Sequence, residues 1–262
     1  MAPHALSEPP SGSSVPGADR EALELGQVRT GRIRRPPRVP SWALKVVMAG
    51  TGTVFALFVF VHMIGNLKVF SGPEHFDDYA HWLRTVLQPF LPYEGLLWAL
   101  RIVLLACLAA NVGAAAAIWA RGRASRGPHR RPGMWLRSFT ARTMLVTGIL
   151  LLAFIVIHVL DLTTGTPGVA SESFRAAGPE DAYAYENLVA SLQRPVVAGF
   201  YMLAMVALFL HLAHGLWTVV TDFGATGRRV RAVAHLLAGG VALAVTVGNI
   251  IIPIAILSGV VS

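Results

Sequence analysis

The sequence predicts an all-α fold, an integral membrane bundle of five transmembrane helices with its N-terminus in the cytoplasm. Three observations carry that prediction. Hydrophobic residues make up 54% of the chain and charged residues only 14%, a balance foreign to ordinary soluble domains. Five stretches each supply the roughly 20 apolar residues needed to cross a bilayer core. The connections between those stretches alternate between basic and acidic, as expected where each span reverses direction.

Residues 1–40 are rich in Pro, Ser, Gly and Arg and are expected to form a disordered, basic cytoplasmic tail rather than a cleaved signal peptide. The membrane domain is expected over residues 41–262. Its spans run over about Trp42–Phe70, Leu96–Ala120, Phe139–Leu160, Val196–Val220 and Ala232–Leu257. Arg142, at the start of the third, is expected to snorkel to the interface.

Arg29, Arg32, Arg34, Arg35 and Arg38 precede the first span. Arg121, Arg123, Arg126, Arg130, Arg131 and Arg137 fill the second connection, and Arg228, Arg229 and Arg231 the fourth. The first connection carries Glu74, Asp77, Asp78 and Glu94; the third carries Asp161, Glu172, Glu180, Asp181 and Glu186. Basic loops stay in the cytoplasm, so the N-terminus is placed inside and the C-terminus outside. The net charge of +8 is thus assigned to topology, with no nucleic-acid partner implied. The third connection has room for a short interfacial helix near Ala182–Leu192.

His62, His158 and His211 lie inside these spans, where an ionisable side chain is costly and marks a cofactor, a proton path or a partner. At about 1.5 Å per residue, His62 on span one and His158 near the end of span three share the outer half of the bundle. His211 lies roughly 16 Å from the cytoplasmic end of span four, and Asn111 is at that depth on span two. Two imidazoles from facing helices are how a bundle holds a b-type haem. Gly65, three residues after His62, and Gly215, four after His211, leave room for a helix or a porphyrin to approach. The competing reading is that such histidines only hydrogen-bond between helices.

Other polar residues carry weaker signals. His214 suits a redox or quinone role as well as a contact between helices or subunits. Asp161, three residues after His158, is read as a solvated carboxylate rather than a proton shuttle at the outer surface, and His235 as an interfacial residue at a helix start. His75, Tyr79, His81 and Arg84 fit an amphipathic interfacial segment better than a quinone or haem-propionate site. His4 and His129 are expected to be solvated. Cys107 is the only cysteine, which excludes an intrachain disulfide and a cysteine-only iron–sulfur site; it reads as a small buried hydrophobe. No glycine-rich nucleotide loop is present.

Several stretches together form a recognisable pattern: Lys45-Val46-Val47-Met48-Ala49-Gly50-Thr51-Gly52 with His62-Met63-Ile64-Gly65-Asn66-Leu67, the acidic Gly72–Ala80 loop, Arg142-Thr143-Met144 with Thr147-Gly148, and His211-Leu212-Ala213-His214-Gly215-Leu216-Trp217. They resemble the five-helix, single-chain cytochrome b membrane anchor of bacterial succinate dehydrogenase and fumarate reductase, the b558 type, over about residues 42–258. The resemblance implies a multi-pass protein of the bacterial cytoplasmic membrane. Its partners would be flavoprotein and iron–sulfur subunits, and its electrons would pass through haem b to or from quinone. It assigns His62 and His158 to an outer haem and His211 to an inner one, whose other ligand would come from span two.

Asn111 stands where that fourth histidine is expected. One haem b is therefore implied, and four arrangements are open for the inner site: no haem, a haem with one protein ligand, a substitute ligand in His214 or His235, or another redox centre. The last would be an iron–sulfur centre using Cys107, one turn before Asn111, with ligands from another subunit. The chain itself should lack a succinate-oxidising site. A second reading is the haem b anchor of a formate dehydrogenase or hydrogenase. A third, a transporter or scaffold, is opposed by the scarcity of intramembrane carboxylates.

Overall fold

A computed structural model describes residues 39–125, 135–222, 224 and 227–262, with side chains omitted for 135–142. The expectations for the tail, His4, His129 and the Arg142 side chain fall outside the described residues. The chain runs through α1 (Ser41–Asn66), a 3-10 turn (Leu67–Ser71), α2 (Pro73–Thr85), α3 (Gly95–Ser125), α4 (Trp135–Leu162), α5 (Ala184–Leu192), α6 (Pro195–Asp222) and α7 (Arg228–Leu257). Among the described residues five helices, α1, α3, α4, α6 and α7, are long and apolar enough to cross a membrane. The protein is a multi-pass, all-helical membrane protein.

These helices are apolar on all sides because lipid, not water, faces them. Leu57, Ile102, Leu105, Ile149, Leu236 and Leu237 are all exposed at the bundle surface. The breaks fall where the backbone demands them. Gly72 takes φ 95° at the end of the 3-10 turn, a value open to glycine, and Pro73 opens α2. Pro195 opens α6, where its missing N–H costs nothing.

Helix α6 is central, packing on α7, α4 and α1, while α1 also packs on α3 and α7. Small residues make these contacts close: Ala198, Ala204 and Ala242 are fully buried. A Cβ at Gly248 of α7 would come within 2.6 Å of the Met63 sulfur of α1. Asn66 Nδ2 donates to Asn249 Oδ1 at 3.1 Å, joining α1 to α7. Among the described residues α1 and α4 do not pack closely along their lengths; side chains reach between them.

The two ends of the bundle are built differently. At one, α1 and α6 are tied by the Lys45–Asp222 ion pair at 3.2 Å, and Arg121 of α3 donates to Ser41 Oγ at 3.0 Å. At the other, α2 packs on the expected interfacial helix, found as α5. The first backbone N–H groups of α5, from Ala184 and Tyr185, donate to Asp77 Oδ1 of α2 at 2.7 and 3.0 Å. Tyr183, the residue before α5, sits at φ 48° and its own side chain caps nothing. A carboxylate from another helix thus takes the N-cap role. Burial pushes the Asp77 carboxyl above the ordinary carboxylate range, against the pull of those two donors.

Candidate functional site

His62 of α1 and His158 of α4 meet across the gap between their helices, with ring centres 5.9 Å apart and planes at 84°. Two imidazoles bound to opposite sides of one metal, each about 2 Å from it, have ring centres about 6 Å apart. That spacing is compatible with one metal shared by the two rings, and the loose packing of α1 against α4 suits a flat macrocycle between them. The residues present fit haem b at this position.

Each histidine is flanked on its own helix by a phenylalanine four residues earlier. Phe58 stacks on His62 at 5.3 Å, and Phe154 on His158 at 5.5 Å. Neither ring was singled out from the sequence, although the i−4 spacing before both histidines is the same and puts each Phe over its His.

His158 is also held from α6. The Tyr201 hydroxyl lies 3.4 Å from His158 Nδ1 and donates to Asp161 Oδ2 at 3.0 Å. Asp161 is only 1% exposed, so the expectation of a solvated carboxylate is corrected. It is paired with Arg194 at 2.6 Å and accepts a short hydrogen bond from Ser191 Oγ. Arg194 reaches further, donating to the Val169 carbonyl at 2.7 Å. A buried carboxylate needs such partners; because they come from beyond residue 190, the local sequence around Asp161 could not disclose them.

His211 has different surroundings. Its Nδ1 lies 3.1 Å from Thr147 Oγ1 of α4, and Thr147 donates its own hydrogen to the Thr143 carbonyl at 2.7 Å. The hydroxyl therefore accepts from His211 Nδ1–H, which leaves the lone pair on Nε2. The ring lies beside Gly148, where a Cβ would be in ordinary contact with His211 Cε1 at 3.5 Å.

Asn111 does not join His211. Its amide Nδ2 donates to Thr51 Oγ1 at 2.8 Å and to the Met48 carbonyl at 3.3 Å, both on α1. It acts as an interhelical tie between α3 and α1. His235 stacks on Trp217, ring centres 3.3 Å apart, and His214 is half-buried one turn beyond His211. Cys107 is half-buried. Among the described residues no three His, Cys, Asp or Glu side chains gather into a metal-binding group.

Gly65 admits a helix rather than open space: a Cβ there would be 2.9 Å from Tyr79 Cε1 of α2. Gly215 has nothing within 4 Å of the same position. Lys68 of the 3-10 turn lies over the Tyr79 ring of α2, 5.1 Å from its centre. These two line an open, polar hollow of about 620 Å³ with Ser71, His75, Asp78 and Trp82.

A family model described as "Succinate dehydrogenase/Fumarate reductase transmembrane subunit" matches residues 122–248. That stretch holds His158, Asp161, Arg194, Tyr201 and His211, while His62 and Asn111 lie before it. No curated protein and no solved structure matches the chain.

Proposed function

We propose that the chain, whose residues 122–248 match the succinate dehydrogenase/fumarate reductase transmembrane-subunit family model, is a member of that family and the electron-transfer subunit of a succinate:quinone oxidoreductase. It would anchor the flavoprotein and iron–sulfur subunits and exchange electrons with membrane quinone. The observation that carries this reading is the His62–His158 pair, 5.9 Å apart on two membrane helices.

In this reading His62 and His158 would hold haem b. The bound haem supplies a one-electron carrier between two-electron succinate chemistry and quinone. The protein's own work is placement. Phe58 and Phe154 fix the two ring planes by stacking, and the apolar helices keep water from the centre, which tunes its potential. The end bearing Lys45, Arg121, Arg123, Arg228, Arg229 and Arg231 would face the cytoplasm of a bacterial cell. The partner subunits dock at that end, and the α2–α5 end faces outward.

His211, oriented by Thr147, is ready to ligate an inner centre, and Asn111 does not supply its partner. We therefore assign one haem to the chain. Asn111→His is expected to raise haem per complex; unchanged haem would mean that no inner haem site can form between α3 and α6.

The test is a reduced-minus-oxidised and pyridine-haemochrome spectrum of the purified complex, with haem counted against covalent flavin. A b-type signal near one haem per flavin is expected. A complex with full succinate oxidation and no haem would sink the assignment, and co-purification of a molybdenum or nickel enzyme would redirect it to the formate dehydrogenase or hydrogenase type.

A further inference from the structure

We infer that Tyr201 is a positioning residue for His158, held in place by the buried Asp161–Arg194 pair, and that it sets the tautomer and basicity of this imidazole. The inference rests on the reading of His158 as a haem ligand. Its basis is the direction of the hydrogen bonds. Tyr201 has one O–H, and Asp161 Oδ2 at 3.0 Å takes it, because a carboxylate in an ion pair can only accept. The phenol oxygen is left as an acceptor, and the group that faces it is His158 Nδ1 at 3.4 Å. The proton of the neutral ring then sits on Nδ1, and the lone pair on Nε2 is free for a metal.

The arrangement is costly enough to ask for a purpose. Asp161 is 1% exposed at the end of a membrane helix. Its oxygens are satisfied by Arg194, Ser191 and Tyr201, from two further segments of the chain. Isolated structural capping of α4 would need none of the reach to α6. Tyr201 is itself buried and clamped by rings, edge-on to Phe154 at 5.0 Å and to Phe200 at 6.4 Å. Its hydroxyl therefore cannot swing away from the line joining His158 to Asp161. A donor bond from Nδ1–H to an oxygen backed by a carboxylate makes the imidazole a stronger donor to iron, which favours the ferric state.

The experiment compares Tyr201→Phe with Ser191→Ala in the assembled complex, reading haem content and the haem midpoint potential, with His158→Ala as reference. Tyr201→Phe keeps the ring packing and removes only the hydroxyl. It is expected to shift the ferric–ferrous balance about fivefold toward ferrous, the worth of one hydrogen bond, or roughly 40 mV upward for a one-electron couple. Ser191→Ala removes another donor to the same carboxylate oxygen and should leave the potential unmoved. Loss of haem from a fully assembled Tyr201→Phe complex, with Ser191→Ala retaining it, also supports the inference. An unchanged potential in Tyr201→Phe, or an equal shift in Ser191→Ala, overturns it. If His158→Ala keeps the haem, the ligand assignment itself has failed, and this inference falls with it.

Discussion

His158 and His211 each turn Nδ1 to a hydroxyl, but what stands behind the hydroxyl differs. Thr147 leans on a carbonyl one turn back in its own helix. Tyr201 leans on a buried carboxylate that is tied in turn to the α5–α6 junction through Ser191 and Arg194. One histidine is oriented by a device that needs only two adjacent helices; the other depends on residues spread over forty positions of sequence. A local device tolerates change around it. A distributed one makes His158 answer to Tyr201 and to the Asp161–Arg194 pair behind it.

The comparison can be broken most directly at the ligands. Under the proposed function, His158→Ala or His62→Ala should remove the haem and with it quinone reduction, whereas His211→Ala should leave the outer haem spectrum intact. A haemochrome measurement on the three variants decides this. Equal haem content in all three would mean that the pair at 5.9 Å is not a ligand set.

Next in size is Arg194→Met. It leaves the Asp161 carboxylate buried without its counter-ion, which costs about 3–5 kcal/mol for a fully buried pair. Arg194 is 33% exposed, so the low end, about 3 kcal/mol, applies. Thermal unfolding of the purified complex should show it as a marked loss of stability. The double change Asp161→Leu with Arg194→Met should recover much of that loss, since no charge then remains buried.

A smaller contrast tests the glycines. Gly65→Ala must displace Tyr79, which stands 2.9 Å from the new Cβ, at a cost of about 1–3 kcal/mol. Gly215→Ala meets nothing within 4 Å and should be near neutral. If both are neutral, the Tyr79 ring does not rest on Gly65 as described. Smallest is Asn111→Ala, which cuts the α3–α1 tie at Thr51 and Met48. Interhelical bonds of this kind average about 0.6 kcal/mol, and the outer haem should not respond.

The five spans could be read from the sequence because lipid imposes one rule, about 20 apolar residues per crossing, and each span obeys it alone. The His62–His158 pairing was legible for a related reason: depth follows from residue number once direction is known. The polar support was not. Asp161 looks like a loop carboxylate from its neighbours Leu160 and Leu162, and only Arg194 and Ser191, brought over by the α5 turn, show why it is buried. Asn111 was read as a missing ligand because its depth matched His211. Depth says nothing about which way a side chain turns, and this one turns to Thr51 on α1.

The carboxylate of Asp77 has a consequence for how this end of the molecule opens. Helix α5 is nine residues long, too short to persist on its own in water, and the donors at its start are answered from α2. Neither segment can therefore loosen alone: if α2 lifts, the first turn of α5 loses its acceptor, and the Ser191–Arg194 junction that steadies Asp161 follows. In hydrogen exchange, amides of Pro73–Thr85 and Ala184–Leu192 should relax together as one cooperative unit. The rate at which that unit opens would then set how fast solvent reaches the amides at this end of the bundle.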